Sequence, residues 1–245
     1  MQDRYAGDIG DFGKFHLLRY LFLDTSIKLT QLWYKHQNES HNNDGLHINY
    51  FEKVKGFDPI LEQALFSLVS KKRTIQALEK LELLHNISYF SKNIEGDLLY
   101  RKSWIQDAIK FTEGSDFILT DSDNGIATQY DKKSDEIKLL GFEDYTKKVK
   151  AGKYIFLDEI DLLHQTQSSI ILYHHLNRTL PHNEQIRRIQ KQFDIRYGYT
   201  LAIKHKPYSP RVYFIVCQSK EVYELIRLKL RCFYDMFSVH WDVFE

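Results

Sequence analysis

Short apolar runs alternate with longer stretches of helical periodicity along this chain. Six runs have the length and the apolar character of buried strands, at residues 31–36, 87–91, 116–121, 168–173, 200–205 and 212–217. Helical segments separate most of these runs. The pattern therefore predicts an α/β protein whose sheet is mostly parallel and carries helices on both faces.

Two helix starts stand out in the first third of the chain. Asp11 is placed to cap a helix that ends near Asp24, and Asp58 followed by Pro59 is typical of a second helix start. The segment between the first two strands is long enough for two helices. We therefore predict one domain over residues 1–245 with a helical insertion over about residues 52–85.

Other signals indicate how the chain continues toward its end. Ser103 with Gln106 predicts a capping box for a helix that ends at Phe111, and residues 220–237 have the periodicity of an amphipathic last helix. The tetrapeptide at residues 207–210 contains two prolines and separates the last two predicted strands. Such a turn favours a terminal antiparallel hairpin.

Composition narrows the functional classes only slightly. The 245 residues are 43% hydrophobic, enough for a substantial core, and 34 basic residues against 33 acidic ones leave a net charge of +1. No overall field therefore demands a nucleic-acid partner. The two cysteines, Cys217 and Cys232, fit a reducing compartment, and no apolar run is long enough for a signal peptide or a membrane span. We expect a cytoplasmic protein that binds no membrane.

Glycine, carboxylates and a lysine crowd the first fifteen residues, which read RYAGDIGDFGKF from position 4. A lysine in the first turn of a helix opposes the helix dipole, so Lys14 needs an acidic side chain or a bound anion as its partner. We expect Gly7, Asp8, Asp11 and Lys14 to belong to a ligand site. The alternative is a structural ion pair between Lys14 and one of the aspartates.

Polar residues follow the third predicted strand, where chemistry in such sheets gathers. The strand ends on Asp121, and Asp123 and Asn124 come next. Asp121 can accept a hydrogen bond, and the two carboxylates together could hold Mg²⁺ or Mn²⁺. Alternatively the residues from Asp123 to Gly125 form only a tight turn.

Two further strand ends carry candidate residues. His174 and His175 end the fourth strand, and because adjacent side chains point to opposite faces, at most one of them faces a common crevice as a general base or metal ligand. Asp44, Gly45 and His47 lie in the polar segment after the first strand, where they either bind a cofactor or form an ordinary turn.

The N-terminal segment resembles the A-G-N-x-A-D-x-x-K-H signature of bacterial adenine-N6 methyltransferases that act on large-subunit ribosomal RNA. Ala6, Gly7, Asp11 and Lys14 match it, while Asp8 replaces an asparagine. The resemblance implies a Rossmann-like, methyltransferase-like fold in which this segment covers S-adenosylmethionine and the lysine belongs to the cofactor site. The chain resembles more closely a set of uncharacterised bacterial proteins with R-Y-A-G-D-x-G-D-F-x-K and D-x-D-N-G motifs.

Asp121 resembles by position the aspartate of the family's D-P-P-Y motif, which holds the amine to be methylated. Ser122 and Asp123 stand where that motif has prolines, and Asn124 replaces its aromatic residue. The family's glycine-rich loop is also missing after the first strand, where only Gly45 allows a close backbone approach.

Three functions remain open from the sequence. The first is an S-adenosylmethionine-dependent enzyme that modifies a nucleic acid or a nucleotide, in which Asp121 orients an amine. The second is a metal-dependent nuclease or phosphodiesterase that uses Asp121 and Asp123 with a histidine base. The third is a non-catalytic module that binds a nucleotide or a partner.

Overall fold

The computed structural model describes residues 1–39, 45–94, 97–146 and 148–245. These ranges contain the helices α1 (Ile9–Phe22), α2 (Phe51–Val54), α3 (Pro59–Val69), α4 (Ile75–Glu79), α5 (Leu98–Phe111), α6 (Leu157–His164), α7 (His182–Tyr197) and α8 (Lys220–Phe237). They also contain the strands β1 (Leu29–Trp33), β2 (Ile87–Phe90), β3 (Phe117–Asp121), β4 (Gly125–Ile126), β5 (Thr128–Asp131), β6 (Glu136–Leu139), β7 (Tyr154–Ile155), β8 (Ser169–His175), β9 (Tyr199–His205), β10 (Arg211–Cys217) and β11 (Trp241–Phe244).

Seven of the strands form one central sheet in the order β11-β9-β10-β8-β3-β1-β2. The pairs β2 with β1, β1 with β3 and β3 with β8 are parallel, whereas β10 runs antiparallel to both β8 and β9. Since β9 therefore points the same way as β8, only β10 and the edge strand β11 run against the rest. The fold is thus α/β and Rossmann-like, with a mostly parallel sheet and the predicted terminal antiparallel hairpin.

Helices cover both faces of this sheet. The first face buries one apolar cluster that includes Leu29 and Trp33 of β1 with side chains of α1, α3 and α8. The second face buries a separate cluster that includes Leu32 of β1 with side chains of α5, α6 and α7. Alternation along each strand assigns neighbouring residues to opposite clusters.

Close approach of α1 to the sheet accounts for one of its glycines. A Cβ atom at Gly13 would lie 2.6 Å from Nδ1 of His205, a buried ring on β9. A side chain at position 13 would therefore hold the helix away from the sheet.

All six strands predicted from the apolar runs are present, with bounds shifted by no more than three residues. The sequence patterns did not reveal β11 or the short strands β4 to β7, which form two small two-stranded sheets. Three short helices, α2 to α4, occupy the long connection between β1 and β2, and their apolar side chains join the same cluster as α1.

Two predicted helix starts are wrong. Asp8, not Asp11, caps α1, and Asp97 caps α5 where the sequence favoured Ser103. Asp58 does cap α3, with Pro59 as its first residue. Within the described ranges, no helix is long and apolar enough to cross a membrane.

Candidate ligand-binding cavity

A cavity of about 300 Å³ opens at the edge of the sheet where β3 and β8 end and β10 begins. Because β10 is antiparallel to β8, its first residues lie beside the last residues of β8, and Arg211 pairs with His175. The start of α1 forms the opposite wall of the cavity. This is the edge at which α/β sheets bind their ligands.

Asp8 fixes the start of α1 at this wall. Its Oδ1 accepts hydrogen bonds from the backbone N–H groups of Gly10, at 2.7 Å, and Asp11, at 3.1 Å, as an N-cap residue does. Asp11 is instead buried inside the first turn, where its Oδ2 accepts the N–H of Gly7 at 2.8 Å.

Lys14 joins α1 to β3 within the cavity. Its Nζ lies 2.6 Å from Oδ1 of Asp11 and 2.5 Å from Oδ2 of Asp121, and it sits 4.3 Å from the centroid of the Trp33 ring. The amide of Gln31 donates a further hydrogen bond of 3.3 Å to the same Asp121 oxygen. The prediction that Lys14 and Asp121 face one crevice is confirmed.

Asp11, Lys14 and Asp121 are all buried, so their charges interact strongly with one another. Burial raises the pKa of Asp11 to about 6, although Lys14 acts in the opposite direction. Burial lowers the pKa of Lys14, but the carboxylates of Asp11 and Asp121 outweigh it, so that its pKa lies above the usual value. Lys14 is therefore a cation shared by two acidic side chains.

Asp123 lines the same cavity but has partners of its own. Its carboxylate lies 2.9 Å from the Met1 ammonium and 2.8 Å from Nε2 of His36, and it accepts a 2.6 Å hydrogen bond from Gln2. Burial alone would raise the pKa of Asp123, but the ammonium and His36 hold it well below its usual range.

The contacts of Asp121 and Asp123 bear on the metal hypothesis. Each carboxylate already faces a cationic group of the protein. Among the residues that the structure describes, no three His, Cys, Asp or Glu side chains converge as metal ligands do. This arrangement does not favour a shared Mg²⁺ or Mn²⁺ ion at the pair.

The two adjacent histidines have different surroundings. His175 lines the cavity, and its Nε2 lies 3.2 Å from Oγ of Ser209. His174 points to the opposite face, where its Nδ1 accepts the N–H of Ile126 at 3.2 Å, and burial lowers its pKa to about 3. His174 thus lies outside the cavity lining, whereas His175 belongs to it, and a catalytic role for either histidine stays a prediction.

The remaining predicted residues fall partly in the cavity. Asn124, Gly45 and His47 line it together with Asp8 and Asp11. Gly7 does not line the cavity, and its carbonyl accepts a 3.1 Å hydrogen bond from the hydroxyl of Tyr50. Asp44 lies outside the described residues.

Sequence reasoning missed the wall that β10 contributes. Arg211 is only 5% exposed, and its Nε donates to the carbonyl of Ser209 at 3.1 Å. Its two terminal nitrogens meet no acceptor among the described residues. The hydroxyl of Tyr213, on the same face of β10, is buried and likewise has no hydrogen-bond partner in the described part of the chain. Arginine directly after a turn proline was the only signal for this wall.

Comparison with known proteins adds little to this geometry. No family model matches the chain, and no curated protein does. Among solved structures, the chain is similar to human methyltransferase-like protein 13 in complex with SAH, at 11% identity over 91% of this chain and 92% of that one, with a TM-score of 0.33. A likeness this low assigns no activity to this chain.

Proposed function

We propose that this chain is a methyltransferase-like enzyme that uses S-adenosylmethionine to methylate an amino group of a nucleic acid or nucleotide. The N-terminal segment that resembles the adenine-N6 methyltransferase signature forms one wall of the cavity, and Asp121 forms part of the other. The insertion of antiparallel β10 between β8 and β9 is also similar to the architecture of that class.

The observation that carries the proposal is the environment of Asp121. Its Oδ2 is held by Lys14 and Gln31, whereas its Oδ1 accepts no hydrogen bond from any described residue. A carboxylate fixed through one oxygen can present the other to an amino group of the substrate. Such a hydrogen bond orients the amine toward the methyl donor and keeps it in place.

The residues of the cavity fit the charge of the proposed cofactor. Lys14 contacts the carboxylates of Asp11 and Asp121, and Asp8 adds a third carboxylate to the cavity, where Arg211 supplies a second cation. The carboxylates of Asp8 and Asp121 can pair with the cationic sulfonium and the ammonium group of S-adenosylmethionine. When bound, the cofactor supplies an electrophilic methyl group, and Asp8, Asp11, Gly45 and His47 would hold it.

Arg211 and Tyr213 supply the substrate side of the proposed site. β10 lies two strands from β3 and on the side away from β1, about 10 Å across the sheet. The free donors of Arg211 and Tyr213 suit a phosphate oxygen. The tyrosine rings of Tyr173 and Tyr213 add walls on which a base could lie.

Binding and turnover test the proposal separately. Calorimetry with S-adenosylmethionine and its demethylated product should show binding without added metal. Transfer of labelled methyl groups to RNA, DNA or mononucleotides should fall at least about a hundredfold in Asp121→Asn, because the amide presents a weaker acceptor to the amine. The exposed Asp107→Asn is the matched control and should retain activity.

Asp123→Asn separates the proposed reaction from metal-dependent hydrolysis. If Asp121 orients an amine, Asp123→Asn should have little effect on turnover, and added Mn²⁺ should not change its activity. Failure of both cofactor forms to bind at millimolar concentration, together with phosphodiester hydrolysis that requires Mg²⁺ or Mn²⁺, would overturn the proposal.

A further inference from the structure

The turn between β9 and β10 forms part of the rim of the cavity. The buried side chains of Lys14 and Asp121 lie at the floor of the cavity, whereas the exposed His47 and the half-buried Ser209 lie at its rim. Ser209 belongs to the turn, and His47 belongs to the segment that precedes α2. Two parts of the chain that are distant in sequence therefore meet around the opening.

Tyr208 joins these two sides of the rim. Its hydroxyl donates a 3.2 Å hydrogen bond to the carbonyl of Asn49, and its ring centroid lies 5.0 Å from that of His47. The Nζ atom of Lys53 lies 4.3 Å from the centroid of the same ring. The tyrosine side chain thus ties the turn to the opposite side of the opening.

The backbone of Tyr208 is strained in this position. Its φ is +60°, in the left-handed region that residues with a side chain rarely adopt. The side chain is 40% exposed, so its hydrogen bond and its cation–π contact contribute free energies of the same order as the cost of the left-handed backbone. The docked position of the ring is therefore only slightly more stable than a released one.

The parts of the chain around this contact are held firmly. The carbonyl of His47 accepts the N–H of Ile9 at 3.1 Å, which fixes its segment to the start of α1. On either side of the tyrosine, the N–H of Lys206 and the carbonyl of Pro210 are hydrogen-bonded to the rest of the fold. Release of the ring can therefore be confined to residues 207–209.

We propose that Tyr208 is a latch that closes the cavity. In the docked state its ring holds the turn against the rim. In the released state its backbone returns to the usual negative φ, the ring leaves His47, and the turn uncovers the cavity. Entry and release of a ligand require the released state, so the latch limits both rates. This inference concerns access to the cavity and does not depend on the proposed methyl transfer.

Alkylation of a thiol in the cavity measures access without any ligand. In a Cys232→Ser background, Ser122→Cys places a thiol in the lining at a position that is 1% exposed. Its reaction with iodoacetamide should be about three- to tenfold faster in Tyr208→Ala, because alanine keeps the cost of the left-handed backbone and loses the contacts of the ring. Alkylation of the buried Cys217 reports global unfolding and should not change.

Tyr199→Ala is the matched control for this substitution. Tyr199 is 42% exposed and lies at the opposite end of β9, about 20 Å from the turn. The Tyr199 variant should leave the alkylation rate of the cavity thiol unchanged. Equal rates in the Tyr208 and Tyr199 variants would overturn the proposal.

Modification of His175 gives a second measure in a chain without an introduced cysteine. Its Nε2 lies 3.2 Å from Oγ of Ser209, so release of the turn should expose this nitrogen. Carbethoxylation of His175 by diethyl pyrocarbonate, followed by mass spectrometry, should be faster in Tyr208→Ala than in Tyr199→Ala. The same rate in both variants would show that the ring of Tyr208 does not hold the turn closed.

Discussion

Lys14 is a buried cation that contacts two buried carboxylates from different elements, Asp11 on α1 and Asp121 on β3. Its cost of burial is offset only because both partners are close and the Trp33 ring lies beside it. This contact was expected, since a lysine in a first turn needs an anion and a strand-end aspartate lies at the same edge. The sequence could not show that the ammonium group of Lys14 contacts both carboxylates at once.

Lys14→Met should destabilise the protein by about 3 to 5 kcal/mol, because it leaves Asp11 and Asp121 buried without their cation. Denaturant unfolding followed by circular dichroism measures the change. Lys110→Met, at an exposed position in the last turn of α5, is the matched control and should stay within about 0.5 kcal/mol of the unaltered chain. Equal stability of the Lys14 and Lys110 variants would show that the contacts of Lys14 with Asp11 and Asp121 contribute nothing to the free energy of unfolding.

Arg211→Gln should lower both the stability of the protein and its affinity for a phosphate ligand. Nearby groups, Asp8 and Asp11 among them, raise the pKa of Arg211 in spite of its burial, so removing this cation should lower the free energy of unfolding. Affinity for a nucleoside phosphate should fall about ten- to a hundredfold, since charge-assisted hydrogen bonds are lost. Affinity for the matching nucleoside should not change. Titration calorimetry with both ligands provides the comparison, and an equal loss for both would argue against a phosphate contact.

At the scale of elements, apolar runs with clear ends predicted the strands well. β3 and β8 carry consecutive buried side chains because helices cover both of their faces. Helix starts were harder to place, because Asp8 and Asp11 are both chemically able to cap α1. The wall formed by Arg211 could not be predicted from local pattern, since its place in the cavity depends on β10 returning antiparallel beside β8.

Gly125 permits the close contact of β4 with β8. Its φ is +78°, and a Cβ atom there would lie 2.3 Å from Cα of His174 and 2.5 Å from the carbonyl oxygen of Tyr173. Gly125→Ala should therefore cost about 3 kcal/mol or more, through both the strained backbone and the clash.

Gly114→Ala is a matched control for this substitution. Gly114 has the same φ of +78° but nothing within 4 Å of the added atom. Gly114→Ala should lower the free energy of unfolding by only about 1 to 2 kcal/mol, because the left-handed backbone is its only unfavourable contribution. Thermal unfolding of the two variants separates the backbone strain from the steric clash. Equal losses of stability in Gly125→Ala and Gly114→Ala would contradict the steric explanation.

The molecule as a whole should lose stability on mild acidification. Burial lowers the pKa of His16 to about 4 and that of His174 to about 3, and it holds the pKa of His205 well below 6.5. The unfolded chain therefore binds more protons below about pH 6.5, so this stability is present above that pH and is lost as the pH falls. Asp11 acts oppositely, because its raised pKa favours the folded state in acid.

The effect of the three histidines on stability is larger than the opposite effect of Asp11. We therefore expect the free energy of unfolding to fall by about 3 kcal/mol between pH 6.5 and about pH 5. Denaturant titrations at several pH values measure this slope. His174→Gln keeps an acceptor for the N–H of Ile126 and should reduce the slope by about half, because Asp11 offsets most of one histidine and leaves a net effect of about two. The exposed His85→Gln should leave the slope unchanged, and a similar reduction in both variants would assign it to surface charge.

The contacts of α1 also govern when the cavity can form during synthesis. The helix precedes the strands of the sheet in the chain, yet Lys14 meets Asp121 across 107 residues, and the backbone of Leu21 meets Lys229 across 208. Contacts this distant in sequence form late, because the intervening chain must first be ordered. A nascent chain that still lacks β10 cannot complete the binding site, so ligand binding can begin only after β10 has been made.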